Sequence, residues 1–270
     1  MGDAGDGATA ARDRKVSDML FGLWQEGKRI AQLPADIRPE SRAEGYRIQS
    51  LIEAHSKAPL FGWKIAATSK AGQAHINVDG PLAGRLLAER VHGDGATLPF
   101  GANHMKVVEG EFAFRMARDL PPRAEPYTAE EAVAAVADLY LALEIPDTRF
   151  DDVTKVGTAQ IIADNACAHD FVLGPKVTAD WRSMDLAAHP TLGRVAEGAE
   201  HPGKGANVLG DPRLALAWLA NELSGLGVTL KAGQVVTTGT SFVPLPVKAG
   251  DRVSADFGAL GRVSLRFSAS

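Results

Sequence analysis

Glu109 and Glu111 stand two residues apart in the run KVVEGEFAFRM, which alternates as a β-strand does. Alternation sends Val108, Gly110, Phe112 and Phe114 to one face and Glu109, Glu111 and Ala113 to the other. The two carboxylates therefore project together, roughly 7 Å apart at the backbone. Burying two like charges side by side is costly unless a cation neutralises them, and oxygen donors suit magnesium, manganese or calcium. The same spacing also fits a strand with one solvated face. Glu144, at the end of the second apolar run LYLALEIP, is either a third ligand or a strand-end glutamate facing water.

These acids need a scaffold. Residues 1–13 are rich in Gly, Ala and Asp, lack a hydrophobic pattern and read as a disordered tail. Val16, Met19, Leu20, Leu23 and Trp24 predict a helix over 15–31, and a second is expected from Glu40 to about Ala54. FGWKIAAT reads as a strand, and ERVHGDGATLPF as short extended segments around a turn. Thr128 with Glu131 forms a capping-box pattern, followed at helical spacing by Val133, Val136, Leu139 and Tyr140, before a shift to strand that Pro146 ends. NACAHDFVLG suggests another strand, and Asp211-Pro212 opens a helix to about 225. QVVTTGT, DRVSADF and GRVSLRF are short strands at close spacing. The pattern gives a helical part over 14–60 and a β-rich catalytic domain over 61–270, an α+β organisation.

Of the 270 residues, 45% are hydrophobic and 23% charged, an ordinary globular composition. The net charge of −4 brings no basic patch, so no nucleic-acid partner is expected. No apolar run approaches the roughly 20 residues that span a bilayer. The N-terminal residues lack a secretory apolar region, and Asp6 breaks a myristoylation pattern, so a cytoplasmic enzyme without membrane attachment is expected. One cysteine, Cys167, excludes an internal disulfide and a multi-cysteine zinc site.

GWKIAATSKAGQ, NVDGP, VVEGEFAF, LALEIPDTRF, ADNACAHDFVLG, GKGANVLGDPRLALAWLANELSGLG and VTTGT…VKAGDRV occur in this order over residues 15 to 267. Together they resemble the 2-keto-4-pentenoate hydratase and 4-oxalocrotonate decarboxylase branch of the fumarylacetoacetate hydrolase superfamily. The resemblance implies a twisted, mixed β-roll or barrel-like core with helices around it, and a homo-oligomer. It implies Mg²⁺ or Mn²⁺ held by Glu109, Glu111 and Glu144. It makes Lys64 and Asp79 the catalytic candidates, and Ser69, Leu86, Asn165, Gly239 and Thr240 the substrate-binding ones.

The implied substrate is a small 2-oxo or 2-hydroxydienoate acid, whose carboxylate and C2 oxygen can chelate one cation. Lys64 suits a proton shuttle with a lowered pKa, and Asp79 suits pairing with it or activating water. Judged alone, a strand lysine more often snorkels, and Asp79 before Gly80-Pro81 fits a turn. Three reactions fit the resemblance: hydration of 2-hydroxypenta-2,4-dienoate in degradation of aromatic compounds, decarboxylation of a 2-oxohexenedioate, and C–C hydrolysis of an acylpyruvate. A non-enzymatic scaffold for a neighbouring enzyme is the contrasting reading. A second substrate carboxylate would need a cation, for which Lys70, Arg85 and Lys106 are candidates. Where relatives carry a small T-G-A-x-G-like turn, this chain has TGTSFVPLP, an expected reshaping of the pocket by Phe242 and the prolines.

Other signals are set aside. GAEHPGK fits G-x-x-x-x-G-K, but Gly205 replaces the metal-binding Ser or Thr of a P-loop, and a Gly-rich loop is expected. His75, His92, His104, His169 and His201 are scattered and read as structural or surface residues. No G-x-S-x-G occurs.

Overall fold

The computed structural model describes residues 3–269. Helix α1 (Asp3–Glu26) turns Val16, Leu20 and Trp24, spaced by four, into the core. Residues 3–13, expected as a disordered tail, belong to this helix; residues 1 and 2 lie outside the described part. Within residues 3–13, Ala4, Ala8, Ala10 and Ala11 favour the helix against Gly5 and Gly7, and the segment carries no apolar stripe. Its end is anchored, because buried Asp13 accepts from Arg12 and Arg47. Helix α2 (Arg42–Ser50) starts where the Ser41 side chain accepts from the Glu44 amide.

The β-rich part follows, with β1 (Gly62–Ala66), α3 (Lys70–His75), β2 (Leu82–Leu86), β3 (Val91–Gly93), β4 (Ala96–Leu98) and β5 (Val107–Met116). Then come α4 (Ala129–Ala134), β6 (Val136–Ile145), α5 (Thr158–Ala163), β7 (Asp170–Lys176), β8 (Pro190–Val195) and β9 (Glu200–Lys204). The chain closes with α6 (Pro212–Gly225), β10 (Val235–Thr240), β11 (Leu245–Pro246), β12 (Arg252–Asp256) and β13 (Arg262–Phe267).

Two sheets form the core. The first runs β2-β1-β10-β5-β6-β7-β3, with β11 also paired to β5. The second runs β4-β13-β12-β8-β9. Both are mixed: β1 pairs β10, β3 pairs β7 and β4 pairs β13 in parallel, and the remaining pairs are antiparallel. The sheets meet through the Gly110–Phe112–Phe114 face of β5 and through β12 and β13. A Cβ placed on Gly110 would lie 3.0 Å from that of Ala255, and one on Gly174 would lie 2.7 Å from that of Val263. Phe112, Phe114, Val253, Val263 and Leu265 fill this layer. Each fully buried aromatic or aliphatic side chain contributes roughly 1.5–3 kcal/mol of transfer free energy. Alternation then turns Glu109 and Glu111 away from the second sheet.

Two expectations are corrected here. Helix α4 stops at Ala134, so Val136, Leu139 and Tyr140 belong to strand β6. The Thr128–Glu131 capping box is present, but it sets only where the helix begins. The next ten residues are held as strand by pairing with β5 on one side and β7 on the other. The GAEHPGK segment is not a loop: residues 200–204 form β9 at the edge of the second sheet.

Candidate metal centre and its lysine

Strands β5 and β6 bring the three acids together. Glu109 and Glu144 are direct cross-strand partners, and Glu111 follows on the same face. One carboxylate oxygen from each lies within 4.8 Å of the others. Glu111 and Glu144 are fully buried, and Glu109 is half-buried. Glu111 Oε2 accepts from Gly239 N at 2.7 Å and from the Thr237 hydroxyl. Glu111 Oε1 and both Glu144 oxygens are buried without any hydrogen-bond partner.

Orphaned carboxylate oxygens in a trio with two fully buried members are the donor set of a hard cation. Two unit charges at this spacing repel by about 3 kcal/mol at an effective dielectric near 20, so three ionised acids do not sit together unaided. Burial accordingly pushes all three carboxyls up. Glu111 rises to about 8, through burial and Glu109, against the stabilising bonds from Thr237 and Gly239. Glu144 is raised well above the ordinary range, chiefly by burial, with Lys64 opposing. Glu109 is raised by burial, and Lys64 again opposes.

Lys64 comes from β1, on the same face of the first sheet. Its Nζ lies 3.4 Å from Glu144 Oε1 and donates to Ala166 O at 3.0 Å. Burial alone would lower its pKa; in the metal-free trio the attraction of Glu144 and Glu109 outweighs that and holds Lys64 above its ordinary value, while the lowering expected beside a bound cation belongs to the loaded site.

The other named residues have different surroundings. Asp79 is exposed and pairs with Arg42 at 2.9 Å, and the structure does not join it to the carboxylates or to Lys64. Ser69 caps α3, accepting from Gly72 N at 3.0 Å. Asn165 is buried and its amide makes one accepted and one donated bond with the Arg85 backbone, and Gly239 N donates to Glu111. Thr240 Oγ1 donates to Phe242 O at 2.6 Å. Leu86 is different: it joins Ala113, Ala142, Phe171 and Val235 in an apolar patch on the carboxylate-bearing face.

Of the candidate cations for a second carboxylate, Lys70 and Lys106 are exposed. Arg85 is buried on the opposite face of β2, donating to Glu53 and Gln49 and stacked 4.6 Å over Trp63. Phe242 does not reshape the pocket. It is 2% exposed and seated against Gly110, Gly193 and Gly203 of three strands. Thr237 and the Ala166 carbonyl are the contributors that side-chain chemistry did not single out. A carbonyl carries no sequence signal, whereas Thr237 lies in the QVVTTGT strand, two residues before the candidate Gly239.

The Fumarylacetoacetate (FAA) hydrolase C-terminal family matches residues 83–268. With its two mixed sheets and acidic centre, the chain belongs to the fumarylacetoacetate hydrolase family. Within it the chain is similar to the 2-keto-4-pentenoate hydratase of Burkholderia vietnamiensis, at 37% identity over 95% of this chain and 98% of that one. It is also similar to the 2-hydroxyhexa-2,4-dienoate hydratase of Comamonas testosteroni, at 35% identity over 92% of this chain and 95% of that one. The solved 4-oxalocrotonate decarboxylase of Pseudomonas putida G7, complexed with magnesium and adipate, superposes with a TM-score of 0.86 at 25% identity, covering 96% of this chain and 98% of that one.

Proposed function

We propose that this chain is a divalent-metal-dependent hydratase, a lyase that adds water to a 2-hydroxydienoate such as 2-hydroxypenta-2,4-dienoate and yields a 4-hydroxy-2-oxo acid. The observation that carries this reading is the clustered trio Glu109, Glu111 and Glu144, two of them fully buried, with unpaired oxygens and Lys64 against its edge. The hydratase names of the relatives support the reaction class.

Glu109, Glu111 and Glu144 would hold Mg²⁺ or Mn²⁺, which supplies Lewis-acid polarisation of the substrate's C2 oxygen. Thr237 and Gly239 fix the orientation of Glu111. Lys64 gives a proton to the substrate's far carbon as the dienol becomes the conjugated ketone, and takes back the proton that the C2 hydroxyl loses. Water then adds at C4 and a proton at C3, so the product differs from the substrate by one water. Burial of Lys64 and Glu144 keeps bulk water from competing for that proton. The apolar patch around Leu86 and Phe171 suits an uncharged substrate tail.

Decarboxylation of a 2-oxohexenedioate is the second reading, favoured by the superposition with the decarboxylase. Against it, among the described residues Lys64 is the cation touching the trio, and Lys70, Arg85 and Lys106 have other surroundings. Homo-oligomeric assembly and a cytoplasmic location belong to the same proposal and rest on the family resemblance and the sequence reading. No helix among the described residues is long and apolar enough to cross a membrane.

The test is a substrate panel with purified protein and Mg²⁺. Loss of dienol absorbance without CO₂ release is expected with the five-carbon monocarboxylate. CO₂ release from the six-carbon dicarboxylate, with no turnover of the monocarboxylate, would reverse the assignment.

A further inference from the structure

Three consecutive residues, Asn165, Ala166 and Cys167, have φ of 54°, 49° and 61°. Non-glycine residues rarely enter this region singly, and a run of three persists only where the surroundings force it. The restraints are visible on every side. Asn165 Oδ1 accepts from Arg85 N at 2.7 Å, and its Nδ2 donates to Arg85 O at 2.8 Å. Arg149 donates to the carboxylate and carbonyl of Asp164 before the turn and to Ala168 O, at 3.4 Å, after it. Asp147 N donates to Cys167 O at 3.0 Å. The backbone of β2 is bare where the turn rests on it, since a Cβ on Gly84 would lie 2.5 Å from Asn165 O and 3.0 Å from Lys64 Cγ.

The turn aims one group at the site. Ala166 O accepts from Lys64 Nζ at 3.0 Å, while Glu144 Oε1 lies 3.4 Å from the same nitrogen. A lysine stem is flexible and Glu144 lies beside its Nζ; the carbonyl sets where on its path that nitrogen stops. We propose that the Asn165–Cys167 turn is the positioning element for Lys64, and that Asn165 is its anchor, acting on the reaction through Lys64 without touching substrate. This inference rests on the reading of Lys64 as the proton carrier.

The test is a double-mutant cycle at saturating Mg²⁺, with wild type, Asn165→Ala, Lys64→Ala and the double variant. Asn165→Ala is expected to lower kcat ~10- to 100-fold with KM within about threefold, as loss of a supporting contact does. In the Lys64→Ala background the same change should cost less than about threefold, because the positioned group is gone. Equal losses in both backgrounds, or none in either, would overturn the proposal. Wild-type turnover by Lys64→Ala would instead remove the underlying reading of Lys64.

A second readout needs neither metal nor substrate. In the metal-free protein the buried Lys64 side chain should give a resolved ¹⁵Nζ signal, assigned by its loss in Lys64→Ala. Asn165→Ala should broaden or shift it, and an unchanged signal refutes the positioning role. Asn165→Asp, which keeps the side-chain size and the acceptor for Arg85 N, carries the same test if Asn165→Ala does not fold.

Discussion

Glu109 and Glu144 face each other directly across the β5–β6 pair. Like charges in that relation destabilise a sheet, and here one of the two is fully buried. The fold therefore gains from anything that removes a charge from the trio, whether a proton, a cation or a substitution.

Glu144→Gln separates two opposing effects. The metal-free variant loses one buried acid but also the partner 3.4 Å from buried Lys64, so its stability should stay close to that of the metal-free wild type. Its response to Mg²⁺ should nearly vanish. In the wild type a cation at ~100 times its Kd adds about 2.7 kcal/mol, which for a chain of this size is a rise of several degrees in Tm. Thermal melts with and without Mg²⁺ check both halves. An equal Mg²⁺ response in the two proteins would place the cation elsewhere.

Thr237→Val tests the support beneath the ligands. The change keeps the side-chain shape and removes the hydroxyl that donates to Glu111 Oε2. Metal affinity should fall ~10- to 100-fold, the usual consequence of losing a ligand's hydrogen-bonded neighbour. Glu111→Gln should be harsher, abolishing turnover while near-ultraviolet dichroism stays native. Titration with Mn²⁺, followed by its magnetic resonance signal, measures the first effect. Near-normal activity of Glu111→Gln would reject it as an essential ligand.

What the chain discloses in advance divides along physical lines. Glu109 and Glu111 were legible because strand alternation has a fixed period, and Glu144 because the family pattern carries it. The identity of Lys64 was legible but its pairing with Glu144 and the Ala166 carbonyl was not, since those partners are delivered by β6 and by a turn distant in sequence. Val136 to Tyr140 read as helix because the periodicities compete there, and the decision falls to partner strands far away in sequence. The turn at Asn165–Cys167 was invisible for a different reason. Left-handed backbone is ordinarily announced by glycine, and none is present. Asp79 was judged by its neighbours Gly80 and Pro81 and by the family; the structure pairs it with Arg42 from a distant helix.

Phe242 should matter to stability rather than to specificity. Its ring occupies a socket made by glycines: a Cβ on Gly110 would lie 2.3 Å from Phe242 Cζ, and one on Gly193 would lie 2.7 Å from Cε2. The ring thus joins the first sheet to the second, close after the Gly239 amide that binds Glu111. Phe242→Ala should cost about 3–5 kcal/mol by denaturant unfolding, with KM little changed in the folded fraction. A small stability change with a large shift in KM would return Phe242 to the substrate pocket.

His169 gives the protein an acid-side weakness. Trp24 Nε1 donates to His169 Nδ1 at 2.6 Å, so that nitrogen is an acceptor and the ring is neutral. Its other nitrogen lies 3.3 Å from Asp170 Oδ2. Burial lowers the imidazole from 6.5 to about 4, and the attraction of Asp170 does not offset it. The sign then follows. Below pH 6.5 the unfolded chain takes up a proton that the folded ring refuses until about pH 4, so stability falls as pH drops through that window. At 1.36 kcal/mol per unit the full effect is roughly 3 kcal/mol, complete near pH 4 and absent above neutrality. His169→Gln removes the titration while retaining an acceptor for Trp24. Urea unfolding of the two metal-free proteins at pH 7, 5.5 and 4.5 isolates the residue, because the raised carboxyls of the trio contribute alike to both. The wild type should lose more stability than the variant across the series. Parallel losses would mean that the ring takes its proton in the folded state as readily as in the unfolded one.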